Sequence, residues 1–268
     1  MKPRSFANQP AVIGMVHVGA LPGTPRATKA LKELISDAVR EAQIYKDAQV
    51  DGVILENMHD RPYLKGDSVG PEVVATMTRV ATEVRSILPC PCGVQVLAGA
   101  NEAAMAVALA ADFDFVRVEG FVYGHVADEG WIDACAGELL RYRTQISAEG
   151  EAISIWADIK KKHSAHAVTA DVSLAETAQA ATYNLCDALI VSGSHTAEAA
   201  NPNDLKAVRA ISPEIPVYIG SGITAENVGD YRDATGFIVG SSLKEDGHWE
   251  NPLCADRVEA MVQAARSL

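Results

Sequence analysis

The sequence contains no stretch of about 18 or more consecutive apolar residues. Its first ten residues hold two basic side chains but no apolar core, so neither a membrane span nor an export signal is expected. Basic residues are in the minority: 23 Lys and Arg stand against 35 Asp and Glu, a net charge of −12, which argues against a nucleic-acid or anionic-membrane partner while leaving room for a local basic pocket. Gly, Pro and Ser are scattered rather than massed, which excludes low-complexity and collagen-like classes. No HxH or HExxH spacing marks a metal centre, and no GxGxxG follows the first strand to mark a dinucleotide site. The five cysteines form an odd set lying mostly in or beside apolar segments, as reduced thiols do, and this points to the cytoplasm. Cys90-Pro91-Cys92 lacks the two-residue gap of metal and redox motifs and reads as packing at a strand start.

What the chain does have is 268 residues, 48% of them hydrophobic, arranged as short β-branched runs alternating with longer Ala-rich segments of helical period. The strands read as Val12 to Val18, Gly52 to Asn57, Gly93 to Ala98, Phe115 to Gly120, Ile153 to Lys160, Ala188 to Gly193, Val217 to Ile223 and Phe237 to Ser242. Helices are expected near Thr28 to Gln49, Pro71 to Leu88, Asn101 to Ala111, Trp131 to Glu149, Ser173 to Asn184, Asn203 to Ile211, Ala225 to Arg232 and Asn251 to Arg266. Asn101 before Glu102, Pro71 at a first helical position and Thr224 two residues before Glu226 serve as helix-start signals. Eight successive βα units without a linker predict an α/β fold, a single-domain (β/α)8 TIM barrel over residues 1–268, with an open doubly wound sheet as the alternative. The segments after the first, second, fourth and fifth strands are long and polar, which marks the carboxyl ends of the strands as the working face.

Four groups of residues on that face suit chemistry. The seventh and eighth strands end in Gly220-Ser221-Gly222 and Gly240-Ser241-Ser242, where glycine lets backbone N–H groups approach a phosphate; tight turns are the structural alternative. On the fifth strand, alternation puts Trp156, Asp158 and Lys160 on one face and Ile155, Ala157 and Ile159 on the other, so Asp158 and Lys160 are expected inside the mouth. Arg117 and Glu119 do the same on the fourth strand, and all four could equally form a charge-balanced interior network. Glu56 ends the second strand as a candidate general base, followed by Asn57 and by Asp60 as a second acid. His17, His163 and His195 follow the first, fifth and sixth strands and would suit a proton donor or a weak divalent-metal site. Ser192 and Lys244 are further candidates for substrate binding.

Several of these stretches resemble the BtpA/SgcQ family: Gly14-Met15-Val16-His17 with Leu21-Pro22-Gly23, Asp51 to Asn57, and Asp158-Ile159-Lys160-Lys161-Lys162-His163-Ser164. The likeness continues through Ser192-Gly193, Gly220-Ser221-Gly222-Ile223 with Asn227, and Gly240-Ser241-Ser242-Leu243-Lys244 with Asp246-Gly247. It covers nearly the whole chain and implies a barrel related to the ribulose-phosphate-binding group. Some members carry a photosystem I biogenesis label and others lie in sugar-utilisation contexts. A weaker likeness of layout to tryptophan synthase α chains implies that Glu56 or Asp60 handles protons while the phosphate end anchors the substrate.

The expected function is an enzyme acting on a small phosphorylated sugar or sugar-like compound by isomerisation, epimerisation or retro-aldol cleavage. Glu56 is paired with Lys160, and Lys160 or His163 steadies the developing oxyanion. The alternatives are a non-catalytic assembly protein of the photosystem type and a hydrolase on a phosphorylated nucleoside-like compound that uses Asp158 and Glu119. No cofactor is required by the sequence, though a divalent metal is compatible with it. The partners expected are the phosphorylated substrate and further copies of the chain, and neither nucleic acid nor membrane.

Overall fold

A computed structural model of the chain describes residues 6, 8, 10–147, 153–193 and 198–268. Eight parallel strands close on one another in chain order: β1 (Ala11–His17), β2 (Gly52–Glu56), β3 (Cys92–Gln95), β4 (Phe115–Val118), β5 (Ser154–Ile159), β6 (Ala188–Val191), β7 (Val217–Ile219) and β8 (Gly236–Val239). β8 returns to β1 with Ala11 opposite Gly236, which closes the barrel and leaves no free strand edge. The helices outside it are α1 (Leu31–Asp47), α2 (Pro71–Ile87), α3 (Asn101–Ala110), α4 (Ala136–Ile146), α5 (Leu174–Tyr183), α6 (Pro202–Ile211) and α7 (Ala255–Arg266).

Local chemistry explains where several helices begin. Pro71 takes the first position of α2, where its missing N–H is not needed. Ser173 caps α5 reciprocally: its hydroxyl accepts from the Glu176 N–H at 3.2 Å while the Glu176 carboxylate accepts from the Ser173 N–H at 2.8 Å. Asn101 behaves differently from its expected capping role. It lies inside the first turn of α3 and donates to the Glu119 carbonyl at 2.8 Å, tying the helix to the end of β4. The helix expected over Ala225 to Arg232 is a single 3-10 turn, Val228–Tyr231, held open by Thr224, whose hydroxyl accepts from the N–H groups of Glu226 and Asn227. The helix expected from Trp131 starts only at Ala136, because Gly130–Ile132 is recruited into a small antiparallel sheet with His125–Ala127 and Ser164–Ala165.

Two apolar clusters follow from the alternation of the strands. Ile155, Ala157 and Ile159 join the larger cluster between barrel and helices, while Trp156 belongs to a second one inside the barrel with Ile13, Met15, Ile54, Phe115, Ile190, Tyr218 and Ile238. There the Trp156 ring is sandwiched between Phe115 at 3.8 Å and Tyr218 at 4.1 Å, nearly parallel to both. Gly93 makes this stack fit, because a Cβ at that position would stand 2.2 Å from the Phe115 ring. Burying Phe115 contributes about 1.5–3 kcal/mol of transfer free energy. The stack fills the interior near the amino-terminal ends of the strands.

Candidate active site

A cavity of about 570 Å³ opens above that stack. Strand register sets its first wall: His17 of β1 lies opposite Glu56 of β2, and Glu56 opposite Gln95 of β3, so three polar side chains stand abreast. β4 and β5 supply Arg117 and Asp158. The Arg117 guanidinium gives two hydrogen bonds to Oδ2 of Asp158, from Nε at 3.0 Å and Nη2 at 2.5 Å, and Ser192 at the end of β6 donates to Oδ1 at 2.7 Å. Glu119 is equally engaged, accepting from Gln95 and from the Gly99 N–H, each at 3.1 Å, and pairing with Lys161 at 3.1 Å.

Glu56 and Lys162 differ from these groups. Both line the cavity, and among the described residues neither has a hydrogen-bond or ion-pair partner. Burial pushes the Glu56 carboxyl above the ordinary range, against the pull of Arg117 and Lys162. Burial, followed by the charge of Arg117, pushes the Lys162 ammonium down, against the pull of Glu56. The proton affinities of acid and base are thereby drawn toward each other, a perturbation of the kind that gathers at functional sites. His17 has its pKa lowered by burial and then by the charge of Lys244. Its Nδ1 faces the Trp249 carbonyl at 3.4 Å. A carbonyl only accepts, so Nδ1 carries the hydrogen and Nε2 of the neutral ring is left as an acceptor.

The third side of the cavity is formed by the loops after β7 and β8. Gly222 has φ of +65°, and a Cβ there would stand 2.2 Å from the Ala199 nitrogen, so only glycine fits. The Ser242 hydroxyl donates to the Ile223 carbonyl at 2.6 Å and joins the two loops. Among the described residues no acceptor takes the N–H of Gly222, Gly240, Ser241 or Ser242. Arg257, in the first turn of α7, also lines the cavity here and donates to the Ser242 carbonyl at 3.3 Å. Unused N–H groups beside a guanidinium make a cradle for a phosphate-sized anion. Over the top stands Trp249, with the Arg61 guanidinium 4.6 Å from its ring centre, His59 at 4.9 Å, and an Arg61–Glu250 ion pair joining the β2 and β8 loops.

The BtpA family model matches residues 8–267. The chain belongs to the BtpA family. It is 46% identical over 267 residues to a mitochondrial protein of Caenorhabditis elegans, covering 98% of this chain and 95% of that one. It is 34% identical over 262 residues to the photosystem I biogenesis protein BtpA of Synechocystis, covering 97% and 90%. In fold this BtpA-family barrel is similar to N-(5'-phosphoribosyl)anthranilate isomerase of Pyrococcus furiosus, with a TM-score of 0.56 and 11% identity over 96% of this chain and 100% of that one. It is similar again to orotidine 5'-monophosphate decarboxylase of Methanocaldococcus jannaschii, with a TM-score of 0.60 and 14% identity over 96% and 99%. At such identities the likeness is one of architecture. Among the described residues no helix is long and apolar enough to cross a membrane.

The BtpA-family barrel places the expected site residues unequally. Arg117, Glu119, Asp158, Glu56 and His17 come together in the mouth, as do Gly220, Ser221, Gly222, Gly240 and Ser241, and the exposed His163 lies on its rim. Lys160 does not join them. β5 ends at Ile159, Lys160 takes a left-handed φ of 49°, and its ammonium turns outward to the Thr169 and Val172 carbonyls. Lys161 and Lys162 enter the cavity in its place. Asn57 and Asp60 are braces: Asn57 accepts from the Leu97 N–H at 2.7 Å and donates to Asp60 at 2.9 Å, and Asp60 accepts from the Leu21 N–H at 2.7 Å. Lys244 is buried in an ion pair with Glu41 of α1 at 2.5 Å, away from the cavity lining. Ser192 orients Asp158 rather than facing the cavity. His195 lies outside the described residues, and among those described no group of three His, Cys, Asp or Glu is gathered as metal ligands.

Proposed function

We propose that this barrel moves a proton on a small phosphorylated sugar or sugar-like metabolite, as an isomerase, epimerase or retro-aldol lyase. The observation that carries the reading is the division of one cavity: an anion cradle at the β7–β8 corner, and an acid and a base, Glu56 and Lys162, that have no hydrogen-bonded or ion-paired partner among the described residues and face the same space. The phosphate is held by the N–H groups of Gly222, Gly240 and Ser241 with Arg257. Glu56 takes a proton from the carbon beside a carbonyl, and the Lys162 ammonium steadies the oxygen on which charge develops. Nε2 of the neutral His17 accepts a substrate hydroxyl. Both structural neighbours are named for phosphorylated ribosyl compounds, which agrees with a phosphate anchor in this architecture. A cytoplasmic location fits the five unpaired cysteines.

The hydrolase reading is disfavoured, because it would need Asp158 and Glu119 as acid and base and both are already spent on Arg117, Ser192, Lys161 and Gln95. The test is solvent proton exchange: a panel of phosphorylated aldoses and ketoses in deuterated water, followed by NMR, should reveal enzyme-dependent deuterium uptake. Glu56→Gln should lower the rate by roughly 10²–10⁴ while phosphate affinity holds. Deuterium uptake in no sugar phosphate, with no phosphate binding, would favour a non-catalytic role of the biogenesis kind for which the Synechocystis relative is named.

A further inference from the structure

We infer that the substrate is not a bare sugar phosphate but a sugar phosphate carrying an apolar or aromatic group at the end remote from the phosphate. This deepens the phosphosugar reading above and rests on it. At about 570 Å³ the cavity is in the range that encloses a drug-sized ligand, several-fold more than a pentose phosphate fills. The surplus space has a particular chemistry. In the closed strand order β2 and β3 lie across the mouth from β6 and β7, and past the polar strand ends Glu56 and Gln95 the wall they raise carries Met58, Arg61, Tyr63, Leu97 and Ala98.

Four of these residues, Met58, Tyr63, Leu97 and Ala98, give that wall an apolar patch beside the polar row. Tyr63 spends its hydroxyl on the Met58 carbonyl at 2.7 Å and so offers the cavity its ring. The Leu97 and Ala98 N–H groups are consumed by Asn57 and by the Leu64 carbonyl at 3.1 Å, which leaves their side chains as the surface presented. The Asn57–Asp60 brace fixes the wall before any ligand arrives, so little ordering cost falls on binding. A triose or pentose phosphate anchored at Gly222 and Gly240 would leave this surface wet. A flat apolar substituent would cover it, and would also dry the Glu56 carboxyl next to it and so strengthen its proton affinity.

Calorimetric titration of the intact protein with three probes tests this: inorganic phosphate, ribose 5-phosphate and a phenyl riboside 5-phosphate. Burying the phenyl ring should make the third probe bind about 10- to 100-fold more tightly than the second. Met58→Gln, a change of equal length at a partly exposed position, should cut that advantage several-fold while ribose 5-phosphate affinity stays within about twofold. Equal affinity of the parent for the phenyl riboside and ribose 5-phosphate would overturn the inference and leave the phosphosugar reading standing. Failure of all three probes to bind would overturn both.

Discussion

The β4–β5 side of the mouth and the β2 side treat charge in opposite ways. On the first, Arg117, Asp158, Glu119 and Lys161 are each matched by a hydrogen-bonded partner of opposite sign. Glu56 has been brought into the same low-dielectric space and Lys162 arrives from the β5 loop, and among the described residues neither has a hydrogen-bonded or ion-paired partner, the two feeling each other and Arg117 only through space. Buried charges that are matched hold a structure in one arrangement. Those left unmatched cost stability and are worth keeping where a reaction uses them. The comparison therefore separates residues whose loss should be felt in folding from those whose loss should be felt in turnover.

The largest effect on stability should come from Arg117→Met, which strands the buried Asp158 carboxylate; we expect a loss of about 3–5 kcal/mol by urea denaturation. A smaller loss would mean that Ser192 alone satisfies Asp158. Lys161→Met should cost less, about 1–3 kcal/mol, because Glu119 keeps Gln95 and the Gly99 N–H. Glu56→Gln should cost nothing at neutral pH and is expected to raise the urea midpoint. A carboxyl whose folded pKa is raised contributes stability that is full below its ordinary value of 4.5 and lost as pH rises through the folded value. The gap between parent and Glu56→Gln should thus open as pH rises, and a gap that stays flat from pH 4 to 8 would show that Glu56 is better solvated than its surroundings imply.

The smallest effect is at acid pH. His125 is buried with Nε2 unpartnered among the described residues, and burial lowers its pKa from 6.5 to about 4, as it does for His59. Groups depressed in this way contribute stability that is present above 6.5 and lost as pH falls toward 4. His125→Gln should make the urea midpoint fall less steeply over that interval than in the parent.

Most of the barrel was legible in the sequence because it rests on two strong signals, period-two strands and glycine at strand ends. These placed Trp156, Asp158, Arg117 and the Gly220–Gly222 corner correctly. Lys160 was misplaced for a physical reason. The alternation that holds through Ile159 was extended one residue further, and a left-handed turn at a lysine carries no mark in the sequence as a glycine would. The Lys160-Lys161-Lys162 run showed that a cation was at hand without showing which one faces inward; the pairing of Ser164–Ala165 with the β4 loop decides that. Arg257 and Trp249 reach the cavity from segments far along the chain, and only tertiary packing brings them there. Asn57 and Asp60, which read as chemistry beside Glu56, turn out to hold its apolar neighbours in place.

The account stands most directly on a paired measurement of Glu56→Gln: deuterium exchange into a bound sugar phosphate alongside the urea midpoint of the same preparation. The expected result is exchange reduced by roughly 10²–10⁴ with a midpoint equal to or above that of the parent. Exchange at the parent rate, or a loss of exchange that merely follows a fall in the midpoint, would contradict it.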